Sequence, residues 1–412
     1  MQRTFDVRAV RDQFPALERT QDGRRVVYLD GPGGSQVARP AIDAVAGYMM
    51  RGSANLHGAF ATSIETEEII AEARRSAANF LGAEPEELAF GPNMTTLTFA
   101  VSRALARGWG EDDEVVVTEL DHHANVDPWL LAASDKGART RWIRVDTETL
   151  TLDLSNIEEK INERTRLVAI GLASNAVGTV NDVAAVSRLA REVGAVVAVD
   201  AVHAAPHLPV DREEIGADIL TCSAYKFFGP HVGMIAVKRD LFEQLKPYKV
   251  EPAPDYIPDR AESGTQNHEG IAGVTGAIGF IASLGTGEGL RERLVSGMRA
   301  VEEYEDALAG RLRAALRELP GATLYATPDG VRKTPTIAFR LERRTPRGVC
   351  EHMAEKGFFV ADGDFYASTL AERLGIRDVG GFVRVGLAPY NTAEEVEGFI
   401  EALQDLTRRA AP

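Results

Sequence analysis

The chain has 412 residues, 44% of them hydrophobic and 26% charged, an ordinary mixture for a globular protein with a large core. With 46 Lys and Arg against 61 Asp and Glu, its net charge of −15 argues against nucleic acid or an anionic membrane surface as a partner. Two cysteines, Cys222 and Cys350, imply no disulfide framework, no apolar run has the length of a bilayer span, and residues 1–6 lack the apolar core of a leader, so a cytoplasmic location is expected.

Strand-like runs fall at residues 87–91, 114–119, 140–145, 166–174, 195–202, 218–225 and 232–238. Between several of them lie amphipathic stretches such as 183–193. Strand–helix alternation predicts an α/β fold with a large, mostly parallel sheet covered by helices on both faces. Residues 255–262, acidic and proline-bearing, read as an exposed loop. Near residue 270 the pattern changes. A long helical stretch over 271–318, with breaks, precedes a strand at 334–341, a helix at 346–356, a strand at 382–387 and a helix at 392–408. These read as a smaller α+β domain.

The strongest local signal is Ser223-Ala224-Tyr225-Lys226-Phe227-Phe228-Gly229-Pro230. A lysine just after a buried strand is desolvated, which lowers its pKa and favours a neutral amine able to form an imine. Alone, the pattern fits a surface lysine at a strand end equally well. Asp200 ends the apolar run Val197-Ala198-Val199, where a carboxylate is costly unless paired. A pyridinium nitrogen is a suitable partner; a helix cap or turn is the alternative. Both residues fall on the rim where open α/β sheets bind ligands. Asn93-Met94-Thr95-Thr96 opens a helix, whose amides suit a phosphate, although a plain cap needs no ligand. In Asp121-His122-His123-Ala124-Asn125, one histidine could stack on a pyridine ring, and Asn175 could donate to a ring oxygen or a substrate carboxylate; each also fits as a satisfied loop residue. Gly31-Pro32-Gly33-Gly34-Ser35-Gln36 does not match a dinucleotide fingerprint, and His203-Ala204-Ala205-Pro206-His207 lacks a metalloprotease glutamate, so no metal is expected.

Taken in order, Thr-Thr at 95–96, His-His-x-Asn at 122–125, Ser-Asn-x-x-Gly at 174–178, Asp-x-x-His at 200–203 and Ser-x-x-Lys at 223–226 resemble class V aminotransferase-fold enzymes. The resemblance is closest to the cysteine desulfurase and selenocysteine lyase branch, and it runs from Phe14-Pro15 to the C-terminal helix. It implies a pyridoxal 5'-phosphate (PLP) enzyme of fold type I. An N-terminal segment (1–25) would pack on the small domain, a large PLP domain would span 26–275, and a linking helix with the small domain would follow over 276–412. Lys226 would hold PLP as a Schiff base and shuttle the α-proton. Asp200 would pair with the pyridine nitrogen, His203 would lie near the ring oxygen or phosphate, and His123 would stack on the ring. Met94, Thr95 and Ser223 would frame the phosphate, with Tyr225 where the desulfurases usually carry histidine. Asn175 and Arg384 would hold the substrate carboxylate, Arg384 through its bidentate fork. Gly33, Gly34, His57 and Phe60 would wall the pocket. Residues 262–267 resemble a loop that carries Thr265 to the partner's phosphate, which implies a homodimer with shared sites.

One departure bears on function. A desulfurase takes sulfur on a mobile cysteine thiolate before the arginine strand. Here residues 360–368 read Val-Ala-Asp-Gly-Asp-Phe-Tyr-Ala-Ser, without cysteine. Cys350 reads as a packing residue of an amphipathic helix and Cys222 as core. The expectation is therefore a lyase that expels a β- or γ-leaving group without a persulfide. Tyr366 would be the acid, with Asp364 or His57 as lesser candidates. An aminotransferase or epimerase on the same cofactor, and a non-catalytic PLP-fold interaction protein, are the alternatives.

Overall fold

A computed structural model describes residues 5–408 of the chain. Residues 1–4, part of the segment read for a leader, lie outside the described residues. The core is a seven-stranded sheet. Its strands are β1 (Leu88–Gly91), β2 (Glu114–Thr118), β3 (Arg139–Ile143), β4 (Thr165–Gly171), β5 (Val196–Asp200), β6 (Ile219–Ser223) and β7 (Gly233–Val237). The spatial order is β1-β7-β6-β5-β4-β2-β3, with β7 antiparallel to both neighbours and every other pairing parallel. Unbroken apolar runs such as Val115-Val116-Val117 suit strands covered on both faces, and these side chains are fully buried.

Helices cover the sheet: α1 (Met94–Leu105) and α2 (Val183–Glu192) follow β1 and β4, and α3 (His268–Ser283) follows β7. Asp182 caps α2 by accepting from the Ala185 amide, and Val183, Val186 and Ala190 turn inward. The long helical stretch resolves into α3 and α4 (Leu290–Glu318), broken at residues 284–289. There Gly285 passes so close to α4 that a Cβ would lie 2.0 Å from the Arg293 carbonyl oxygen, and Glu292 accepts from the Glu288 amide to start the new helix. The first half of α4 (Leu294, Met298, Val301) packs in the large core. Its second half (Leu308, Leu312, Leu316) packs in a second core with α5 (Pro346–Glu355) and α6 (Ala393–Arg408). That core backs a four-stranded antiparallel sheet of β8 (Ala322–Tyr325), β9 (Thr336–Leu341), β10 (Ala361–Gly363) and β11 (Phe382–Gly386), ordered β8-β9-β11-β10.

The N-terminal segment divides its contacts. Phe14 meets Phe228, Phe280 and Tyr390 edge-on in the large core, whereas Val27 and Tyr28 pair in parallel with Phe358 and Phe359 of the second unit. The expectation of a wholly exposed loop at 255–262 is corrected at its end. Glu262 accepts from Arg74 at 2.8 and 3.0 Å and from the Phe90 amide at 2.8 Å, so the buried carboxylate anchors the segment. Among the described residues no helix is long and apolar enough to cross a membrane, and no group of side chains has metal-ligand geometry.

Candidate active site

The strands β5, β6, β4 and β2 end on one rim, and a cavity of about 310 Å³ opens there. In register, Asp200 lies between Gly171 of β4 and Thr221 of β6. A Cβ on Gly171 would approach Asp121 Oδ1 to 3.0 Å, so glycine keeps this rim open for two carboxyls. Burial raises the Asp200 carboxyl from 3.8 to about 7 and that of Asp121 to about 6. Asp121 accepts from Thr118 Oγ1 (2.7 Å) and Asn125 Nδ2 (2.8 Å); Asp200 Oδ1 accepts from the Val202 amide at 2.8 Å.

Lys226 sits in a single turn of 3-10 helix (Ala224–Lys226) that follows β6. Its ammonium donates to the Pro32 carbonyl and lies 4.6 Å from the centre of the Tyr225 ring. Burial, and then the positive charge of Arg384, lower its pKa to about 8. Tyr225 in turn stacks on His231, ring centres 4.8 Å apart. On the other side of the cavity α1 presents its N-terminus. Asn93 caps it, the Met94 amide donates to Ser223 Oγ at 3.0 Å, and Thr95 lines the wall. His203 is buried and held neutral, since burial takes its pKa well below the ordinary value. Its Nε2 lies 3.0 Å from Thr334 Oγ1 and 3.1 Å from Thr336 Oγ1. Thr334 directs its own proton to the Gly178 carbonyl, which assigns the donor hydrogen to His203 Nε2.

Arg384, on β11, crosses into this cavity from the second unit. Its Nη1 donates to the Asn175 carbonyl at 3.1 Å, Nη2 to Asp30 Oδ1 at 3.0 Å, and its guanidinium carbon lies 3.7 Å from the centre of the Phe365 ring. Asn175 Nδ2 donates to the Phe365 carbonyl at 2.8 Å. Arg384 Nε and Asn175 Oδ1 are buried and have no protein partner.

The expectation for His123 moves by one residue. His122 forms the wall, with its pKa pushed down to about 4 by burial and then by Lys226, and its ring stacks on Tyr366 at 5.2 Å and 27°. His123 points away, bonded through Nδ1 to Asp127 (2.9 Å) and through Nε2 to Thr369 Oγ1 (3.0 Å). The physical reason is local: His122 Nδ1 accepts from the Ala124 amide and caps a tight turn over His123–Asn125, which turns the next side chain outward.

The structure thus brings together Met94, Thr95, Asn175, Asp200, His203, Ser223, Tyr225, Lys226, Tyr366 and Arg384. It does not bring in four others. His57, its imidazole 70% exposed, lies beside Glu67; Phe60 and Thr265 are exposed on the surface; Gly34 backs the Tyr225 ring, while its neighbours Pro32 and Gly33 line the cavity. Asp30 and Phe365 were not singled out from the sequence. The signal available for Asp30 was the buried Arg384, which demands a carboxylate or a ligand.

These residues fit PLP. A helix N-terminus with a serine beside it suits a phosphate. The Asp200 carboxyl, pushed up by burial beside a second carboxyl, lacks a cation that a protonated pyridine would supply. A lysine whose pKa is depressed stands on the next strand, and an amide oxygen is left unpartnered between them.

The comparisons agree with that geometry. The family profile described as aminotransferase class-V matches residues 27–399. A probable cysteine desulfurase from Streptomyces coelicolor is 32% identical, with 97% of each chain covered. An aminotransferase-like protein, FGM3, from Gibberella zeae is 31% identical, with 97% of this chain and 98% of that one covered. An apo structure of a cysteine desulfurase from Thermococcus onnurineus NA1 superposes with a TM-score of 0.87 at 26% identity, covering 98% of each chain. With a lysine, an aspartate and a phosphate cradle on one rim and relatives matched along nearly their whole length, this chain belongs to the class-V aminotransferase family of PLP-dependent, fold type I enzymes, in its cysteine desulfurase-like branch.

Proposed function

We propose that this enzyme is a C–S lyase acting on a cysteine-like amino acid, one that expels the β-sulfur group directly instead of passing sulfur to a protein thiol. One observation carries the reading: neither thiol is placed or charged for sulfur transfer. Cys222 is fully buried on β6 and burial pushes its pKa up; Cys350 is buried in α5 and its thiol is pushed up to about 12. A thiol, unlike a thiolate, is a poor nucleophile. The segment over the cavity, residues 360–368, offers Phe365 and Tyr366 instead.

PLP, when bound, supplies an electron sink for the bonding pair at Cα. The protein's residues do the rest. Arg384 binds the substrate carboxylate. Asp200 keeps the pyridine nitrogen protonated, Met94, Thr95 and Ser223 hold the phosphate, and His122 lies on the ring face. Lys226, held near neutrality, takes the Cα proton. The Cβ–S bond then breaks with its pair leaving on sulfur, and hydrolysis of the released enamine gives a keto acid and ammonia. The proposal extends to a cytoplasmic homodimer, divided at about residues 25 and 275, in which the exposed Thr265 reaches the partner's phosphate. The exposed Met49, Met50 and Phe60 on the same chain support a protein-covered face.

The test is product analysis of the holoenzyme with cysteine and S-substituted cysteines, repeated with Cys222→Ala/Cys350→Ala. Pyruvate and ammonia, formed within about twofold of the wild-type rate by the double variant, are expected. Alanine with an equivalent of sulfane sulfur, abolished in that variant, would overturn the proposal.

A further inference from the structure

The segment 363–368 runs back over the cavity, and we infer that it is a fixed aromatic strap: Phe365 positions the Arg384 guanidinium, Tyr366 positions the His122 imidazole, and His123 is the buckle that fastens the strap. The inference rests on the reading of Arg384 as the carboxylate site and of His122 as the ring-stacking residue.

Phe365 and Tyr366 both have left-handed backbones, with φ of +56° and +58°. Neither residue favours that conformation, and two in succession persist only where the surroundings hold them. The hold is visible at every residue. Asp364 Oδ1 accepts from the Tyr366 amide at 3.1 Å, its Oδ2 from Ser368 Oγ at 2.6 Å, and its carbonyl from the Ala367 amide at 2.9 Å. The Phe365 carbonyl accepts from Asn175 Nδ2 at 2.8 Å, and the Tyr366 carbonyl accepts from the His123 amide at 2.8 Å. His123 adds its Nε2 contact to Thr369 and is itself steadied by Asp127. Before the strap, β10 pairs with β11; after it, Leu370 and Ala371 are buried in a small core with Phe382. A loop that must swing to deliver a thiolate needs freedom at these bonds.

The turn aims both rings. Phe365 lies flat on one face of Arg384, while Asn175 and Asp30 take Nη1 and Nη2. The guanidinium then has one uncommitted donor, Nε, in a fixed orientation. Tyr366 lies on one face of His122, and the Ala124 amide fixes its Nδ1, so the imidazole cannot rotate away from the cavity. The Tyr366 side chain is 69% exposed, so the ring face, and not the hydroxyl, is what meets the site. Tyr366 and Phe365 are positioning residues on this reading, which reassigns the acid role expected for Tyr366.

The experiment uses the holoenzyme and reads cofactor and ligand separately from turnover. L-Alanine, which has no leaving group, is titrated while the visible absorbance and circular dichroism of the cofactor are followed. Phe365→Leu is expected to weaken alanine binding about tenfold, the size of a lost desolvated cation–π contact. Tyr366→Ala is expected to diminish the cofactor's dichroism and lower kcat, and Tyr366→Phe to restore both with the wild-type pH profile. Thr369→Val, a milder change than replacing His123, is expected to speed amide hydrogen exchange across 363–368. An alanine affinity unchanged in Phe365→Leu would overturn the positioning of Arg384. A Tyr366→Phe variant as impaired as Tyr366→Ala, with one limb of its pH profile gone, would return the acid role to the hydroxyl. Failure of the lyase reading shows instead as normal alanine binding and dichroism with no keto acid from any cysteine.

Discussion

Asp200→Asn separates what the site costs the fold from what it does for the cofactor. Burial and the nearby Asp121 raise the Asp200 carboxyl from 3.8 to about 7 in the chain without PLP. At 1.36 kcal/mol per pH unit, that difference sets a ceiling of about 4 kcal/mol on the cost of ionising it in the fold. Lys226 nearby and local relaxation bring the expected figure to about 2 kcal/mol. The sign follows from proton uptake. Between the unfolded and folded pKa values the folded chain holds more protons, so wild-type stability falls as pH rises through that window and levels above it. Asparagine carries no such penalty, and its Oδ1 can still accept from the Val202 amide. In urea unfolding of the apoprotein, Asp200→Asn should therefore be the more stable protein at about pH 8, by a margin that shrinks toward about pH 5. Adding PLP should stabilise the wild type more than the variant, because the pyridinium supplies the missing cation. A margin independent of pH, or a wild-type apoprotein more stable at high pH, would refute the assignment of a strained, unpaired carboxyl.

Other outcomes follow from single contacts. His122→Ala should weaken PLP binding about tenfold or more, and His123→Ala far less, as measured by cofactor titration, since only His122 lines the cavity. The rate at which PLP attaches to the apoprotein should rise with pH and level off above about 8, where the Lys226 amine is neutral; stopped-flow absorbance measures it, and Lys226→Ala should show no such attachment. Glu262→Ala should cost about 3 kcal/mol, read as a lower Tm in thermal scans, because it strands the buried Arg74 beside a more distant Asp259 at 3.6 Å.

Much of the sheet is legible in the sequence because buried parallel strands are continuous apolar runs, and the residues that end them, Asp200 and Ser223, are polar exceptions. Lys226 is legible for the same reason, three residues past Ser223. The one-residue displacement at His122 and His123 has a different origin. Neither hydropathy nor spacing reveals that His122 caps its own turn, and that hydrogen bond decides which ring faces inward. His57 and Thr265 were placed by resemblance alone, and in a single chain both lie on the surface. Phe365 escaped notice because its role depends on a left-handed backbone, which sequence patterns predict for glycine and asparagine rather than for an aromatic residue. Asp30 stands 354 positions from Arg384, so nothing local couples them.

The helix α4 has a consequence for how the chain folds. Its 29 residues, about 44 Å of unbroken rod, give their first half to one hydrophobic core and their second half to the other. Neither core is complete until the rod is made, and a rod this long is marginal until both cores cover it. Cutting the chain between Val301 and Leu308 should therefore yield two fragments that are poorly folded apart, although each carries a sheet. The enzyme should lose both units together on heating or in denaturant, as one cooperative transition instead of two.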